Sequence, residues 1–394
     1  MTTHTAIRAA SVSRFRKYAA LLLPTLLLGA ASNAYAERYA ATIIGAGRTV
    51  FAAAAPLNSS GQVIGTRIVR PGEQAFLYSN GQLTYLGTLG GDTSFATAIN
   101  ANGQATGYSN ISAGKRTFHA FLYSNGVMTE LHGLGPSVGN AINASGQVAG
   151  DAMPASKTTH GFISNGTKMV DLGTLGGDTS DAVALNDSGQ VTGRSEVSGP
   201  GYNHAFLYAN GVMTDLGTLG GNSSSATALN ESGQVAGYAD TASSGSHAFI
   251  SNGTTMTDLG TLGGENSVAY AINASGQVTG QSQTNTGEYH GFLYSNGVMT
   301  DLGTGQGLYS SGLAINASGQ VTGAVNIQAT SGYATHAFVY KDGVMSDLND
   351  LISPKQAASF ELVDGVAIND AGQIVAEGAL NSTGATRLFL LTPR

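Results

Sequence analysis

The sequence has no cysteine, so no disulfide framework holds the fold, and stability has to come from packing and from closure of the chain on itself. It also has no tryptophan, only 8 prolines, and a charged fraction of 10%. Basic residues are scarce: 17 Lys and Arg stand against 24 Asp and Glu. A phosphate backbone needs a basic patch to bind to, and with so few cations a nucleic-acid partner is excluded. Beyond the N-terminus, no apolar run is long enough to span a membrane as a helix.

Glycine, by contrast, is abundant, at 56 of 394 residues, so the backbone turns often. An apolar content of 42% is enough for a large core. Residues 1–36 read as an export signal: Arg8, Arg14, Arg16 and Lys17 precede the apolar stretch Ala19 to Ala31, and Ala34-Tyr35-Ala36 forms a small-x-small cleavage site before Glu37. The rival is a membrane anchor, for which the apolar run is short. Cleavage would leave 13 basic against 24 acidic residues, a formal charge of −11.

An Ile/Leu-Asn-x-x-Gly-Gln turn or a close variant recurs eight times. Its asparagines are Asn58, Asn100, Asn143, Asn186, Asn230, Asn273, Asn316 and Asn369, and its glutamines run from Gln62 to Gln373 at spacings of 42 to 44, with a last interval of 53. A second motif places Phe76, Phe121, Phe162, Phe206, Phe249, Phe292, Phe338 and Phe389 in register. In the sixth copy the strands are expected at Ala269 to Asn273, Gln277 to Gln281, His290 to Ser295 and Val298 to Gly303, with Asn296-Gly297 as a tight hairpin turn. Four strands in about 43 residues match one blade of a β-propeller. The expected fold is therefore all-β: an eight-bladed propeller over residues 37–394. A β-solenoid and a seven-bladed ring with an irregular unit are the alternatives.

The two ends are complementary. The last copy has no fourth strand, and Tyr39 to Ile44 has the glycine rhythm of a fourth-strand segment such as Thr214 to Gly220. Tyr39 to Ile44 is expected to pair with Arg387 to Leu391 and protect that edge.

The element order resembles a WD40-type unit without its Trp-Asp dipeptide. The tripeptides His119-Ala-Phe121, His204-Ala-Phe206, His247-Ala-Phe249 and His336-Ala-Phe338, with the variants at His160 and His290, resemble the HAF-repeat proteins, a bacterial extracellular family. That resemblance implies an extracellular, surface or periplasmic location and carries no activity.

Because the six histidines repeat, a structural role for each blade is expected rather than a shared metal site, which needs converging donors. Asp171, Asp215, Asp258, Asp301 and Asp347 share a position too and are expected to be dispersed. His132 lies outside the register. No residue is assigned as catalytic, cofactor-binding or metal-ligating, and no cofactor is implied.

Specific function is expected where the copies disagree: the segments between second and third strands, the extra residues Asn349 to Val363, and Tyr309 and Tyr333. The leading expectation is a monomeric, non-catalytic module that binds a cell-surface protein or glycan. A polysaccharide lyase or glycoside hydrolase, requiring outliers such as Glu196, Glu288 and Glu361 to converge, is the alternative. A passive structural protein is the third.

Overall fold

The computed structural model describes residues 38–45, 50–70, 72–114, 117–155, 158–199, 201–243, 245–305, 307–329 and 332–394. The export signal expected at 1–36 lies outside the described residues.

Each repeat folds as an antiparallel meander. In the sixth copy the strands are Gly263–Ile272, Val278–Thr284, Tyr289–Ser295 and Val298–Asp301, hydrogen-bonded in chain order. Asn296 and Gly297 have φ of 51° and 83° between the paired Ser295 and Val298, the two-residue turn whose twist suits a hairpin. The first strand starts at Gly263 rather than Ala269, because the connection from the previous blade runs on along the second strand. That approach is close: a Cβ at Gly264 would lie 2.7 Å from Cβ of Gln283. The second-strand glycines from Gly107 to Gly378 have a similar cause, since a Cβ at Gly280 would stand 1.9 Å from the Val268 carbonyl oxygen.

Among the described residues the strands make eight such units, at 50–85, 94–130, 137–171, 176–215, 220–258, 263–301, 310–347 and 360–393. We number these blades one to eight. First strands touch their neighbours from blade to blade, and the first strand of blade eight touches that of blade one. The first strands therefore form the inner ring, and the fourth strands lie outside. The fold is an eight-bladed β-propeller.

Blade eight takes its fourth strand from the N-terminus. Tyr39–Ile44 pairs antiparallel with Thr386–Pro393, from Tyr39 opposite Pro393 to Ile44 opposite Leu388. The expected clasp is present, with a register that buries Tyr39 and Ile44.

The repeated asparagines link the blades. Each Nδ2 donates to the carbonyl oxygen of the next asparagine in the ring: Asn58 to Asn100, Asn100 to Asn143, Asn143 to Asn186, and Asn186 to Asn230. The series continues from Asn230 to Asn273, Asn273 to Asn316, Asn316 to Asn369, and Asn369 back to Asn58. Within each turn the asparagine Oδ1 accepts the glutamine backbone N–H, and the glutamine Oε1 accepts from the same Nδ2, as at Asn273 and Gln277. These buried amides are fully used.

The eight motif phenylalanines are fully buried, and the cores they enter straddle adjacent blades. Phe292, for example, packs with Val278 and Ala269 of its own blade and with Ala236, Ala248 and Leu259 of blade five. Burying one such ring stabilises the fold by about 1.5–3 kcal/mol. The same construction closes the ring, where Ile44, Leu388 and Leu390 meet Val63, Phe76 and Tyr78 of blade one.

Candidate functional site

The two ends of the propeller differ. One carries the uniform Asn-x-x-Gly and Asn-Gly turns. The other carries the variable hairpins and the blade-to-blade connections, which bridge at Leu219 to Thr241 and at Leu262 to Thr284. We call this second end the loop face.

The histidines and acidic residues meet at the loop face, each pair within its own blade. His160, His204, His247 and His290 direct Nδ1 at the carboxylates of Asp171, Asp215, Asp258 and Asp301, at 2.9 Å in each pair. His119 pairs in the same way with Glu130 at 2.6 Å. Because a carboxylate only accepts, Nδ1 carries the proton and Nε2 is left as the basic nitrogen. Each aspartate also caps the following turn, as Asp301 accepts the Gly303 N–H at 2.7 Å. The aspartates are dispersed around the ring. His132 is 70% exposed, 3.3 Å from Glu130. Sequence reasoning missed the pairing, although a constant spacing of eleven residues announces it.

The pair in blade seven is different. His336 Nδ1 bonds Asp347, and its Nε2 lies 2.9 Å from Glu361 of blade eight. Burial alone would lower its pKa, but the hydrogen bonds and charges of Asp347 and Glu361 raise it above the ordinary imidazole value. Asp350 nearby is also raised, by burial and by the Asp347 charge.

The extra residues of blade eight turn inward. They form two one-turn helices, α1 (Leu348–Leu351) capped by Asp347 and α2 (Pro354–Ala357) capped by Ser353. Leu348, Leu351 and Ile352 are buried with Tyr39, Phe360 and Phe389, and Gln356 Nε2 donates to the Ala41 carbonyl oxygen at 2.7 Å. The insertion thus clamps the N-terminal strand. Tyr309 is half-buried, its hydroxyl on Gln281 at 3.1 Å, whereas Tyr333 is exposed. In blade two, Tyr108 stacks on Phe95 at 4.8 Å and meets Phe118 edge-on at 5.3 Å, so the three rings largely cover one another.

Glu196, Glu288 and Glu361 do not come together. Glu196 accepts the Asp178 N–H in blade four, Glu288 accepts from Thr286 in the blade-six hairpin, and Glu361 pairs with His336. A hydrolase built on those three is ruled out.

A cleft of about 370 Å³ opens at the loop-face end of blade six, where that blade connects to blade seven. Thr284, Asn285, Thr286, Glu288, His290, Asp301 and Thr304 give it polar walls, with Leu262 and Leu308 as apolar contacts. The Thr286 hydrogen bond is the main cause that holds the Glu288 carboxyl below the usual carboxylate range. The connection beside the cleft departs from the repeat: Gly305 stands where other connections have Leu175, Leu219 and Leu262. Nothing lies within 4 Å of where its Cβ would be.

Comparison with known proteins supports the fold. A family described as "Protein of unknown function (DUF3466)" matches residues 246–386. A search of curated proteins finds no match. Among solved structures, the chain is similar to the β-propeller domain of the Trilobed protease from Pyrococcus furiosus, described as having an open velcro topology. The TM-score is 0.50 at 11% identity, over 78% of this chain and 100% of that one. Pyrococcus horikoshii acylaminoacyl peptidase gives 0.48 at 11% identity, over 84% of this chain and 57% of that one. Trypanosoma rangeli sialidase gives 0.31 at 10%, over 90% and 55%. The chain therefore spans little more than half the length of the peptidase and the sialidase. The first of these likenesses corrects the expectation of a non-catalytic protein: the matched propeller is a domain of a protease, so the architecture gives no ground for excluding catalysis.

Proposed function

We propose that this chain is an exported bacterial propeller of the HAF-repeat kind that recognises a glycan on its loop face, in the cleft of blade six. The observation that carries this reading is the cleft itself. It lines hydroxyl, amide and carboxylate groups against two leucines, and that mixture suits a polyhydroxylated ligand with apolar ring edges. Its walls come from a variable hairpin and from the connection that has lost the repeat leucine. The N-terminal basic and apolar segment supports export, and the His-Ala-Phe repeats support an extracellular setting.

Hydrolysis of a glycosidic bond is the second reading, favoured by the presence of Glu288 and Asp301 in one cleft with His290 between them in sequence. Ionised Glu288 can accept the proton of an attacking water. With both ring nitrogens protonated, His290 can give its Nε2 proton to the departing oxygen while Asp301 holds Nδ1, giving a new reducing end and a new hydroxyl.

Binding of the mature protein to immobilised oligosaccharides, with and without Asn285→Ala and Leu308→Asp, tests the first reading. Loss of glycan binding in both variants supports it; no binding by the unaltered protein, or binding untouched by both, defeats it. Assay of new reducing ends on the bound glycans tests the second.

A further inference from the structure

Resting on the glycan reading, a more specific chemistry can be assigned to the same cleft. We propose that it selects glycans bearing unacylated amino groups, with Glu288 as the counter-ion that makes the choice. Two carboxylates, Glu288 and Asp301, line the cleft, and its described lining contains no lysine or arginine. Asp301 is engaged twice within its own blade, by His290 and by the Gly303 N–H. Glu288 accepts from the short side chain of Thr286 at the hairpin, with Thr284 and His290 close by, and no lysine or arginine among the described residues pairs with it. Its charge is thus available to a cationic ligand.

The charge arrangement also orders the alternatives. A uronate would bring a third carboxylate beside two fixed ones, and like charges repel. A neutral sugar could use Asn285 and donate to the threonine oxygens, whose own protons go to Glu288 and Gly307, but would leave Glu288 with solvent. An ammonium group at ring height could meet Glu288 while the ring edge packs on Leu308, which is 51% exposed. A basic peptide would also supply an ammonium group. The four small polar side chains, Thr284, Asn285, Thr286 and Thr304, match hydroxyl-rich rings better than an extended chain, which would look for an open strand edge. The same acidity removes the ground for a lyase acting on uronates.

Titration calorimetry with length-matched oligomers of glucosamine, N-acetylglucosamine and a uronic acid tests the idea, with a lysine-rich peptide as a further arm. The glucosamine oligomer should bind about fivefold more tightly than its N-acetyl counterpart, the size expected of a solvent-exposed ion pair. Added salt should erase that preference. Glu288→Gln should remove the preference, bringing the ratio of the two affinities to about one. Equal affinities in the unaltered protein, tighter uronate binding, or a peptide that binds as well as the amino sugar would overturn the selectivity and leave glycan recognition standing. Binding of none of the sugars would instead sink the reading beneath it.

Discussion

Asn369 donates from Nδ2 to the carbonyl oxygen of Asn58 at 3.0 Å, across 311 residues of sequence. This bond is chemically the same as the one from Asn186 to Asn230, between neighbouring blades. The ring closure is therefore joined like every other blade contact, and differs only in the borrowed strand and the insertion that clamps it. Asn369→Ala should accordingly cost as much as Asn186→Ala. Each strands a buried carbonyl and an amide partner, a loss of about 1–3 kcal/mol. Denaturant unfolding of both variants checks this, and a much smaller loss for Asn369→Ala would show the seam to be open in solution.

The borrowed strand itself has a hydrophobic anchor. Tyr39 is 1% exposed and packs with Leu348, Leu351 and Phe389. Tyr39→Ala should destabilise the protein by about 3–5 kcal/mol. Amide exchange should then rise along Thr386–Pro393, which would lose its outer partner. Unchanged protection there would mean that the clasp contributes little.

Much of this architecture was legible in the sequence because the same signals recur in every blade. The Asn-Gly turns, the buried phenylalanine and the missing last strand each identify one part of a blade. What escaped was relational. The pairing of His290 with Asp301 crosses two strands and appears only when the constant spacing is read as geometry. The inward turn of the blade-eight insertion hides in Leu348, Leu351 and Ile352, whose burial depends on a strand from the other end of the chain. The cleft lies beside a connection that has Gly305 in place of the repeat leucine, and a repeat pattern conceals its own omissions.

His336 joins blade seven to blade eight through Asp347 and Glu361, with Asp350 of α1 the further acidic group close to it. Its pKa is raised in the folded protein, so the stability it contributes is complete below the unfolded value of about 6.5 and is lost as pH rises through the raised folded value. The unaltered protein should therefore outlast His336→Gln most clearly at low pH, and its advantage should fade across that window. Melting curves from pH 5 to about 9 decide it. An advantage that grows with pH would contradict the assigned charge state.

The insertion and the cleft should respond independently. Leu351→Ser places a hydroxyl in the core that holds α1 against Tyr39 and Phe360, and should cost about 2–4 kcal/mol. Glycan binding measured well below the new melting temperature should not change, because no residue of the insertion lines the cleft. A parallel loss of binding would move the site toward blade eight.

Repetition supplies the control that separates scaffold from site. Asp215 and Asp301 occupy equivalent positions, each with a histidine at 2.9 Å and a capped glycine N–H two residues on. Asp215→Asn and Asp301→Asn should therefore lose the same small amount of stability, under about 1 kcal/mol for so exposed a pair. Only Asp301 lines the cleft, so only its replacement should alter glycan affinity or the release of new reducing ends. Equal effects of the two variants on ligand handling would return the His–Asp pairs to a purely structural role and dissolve the case for this cleft. An effect confined to Asp301→Asn would mark the one blade where a structural repeat has acquired a second use.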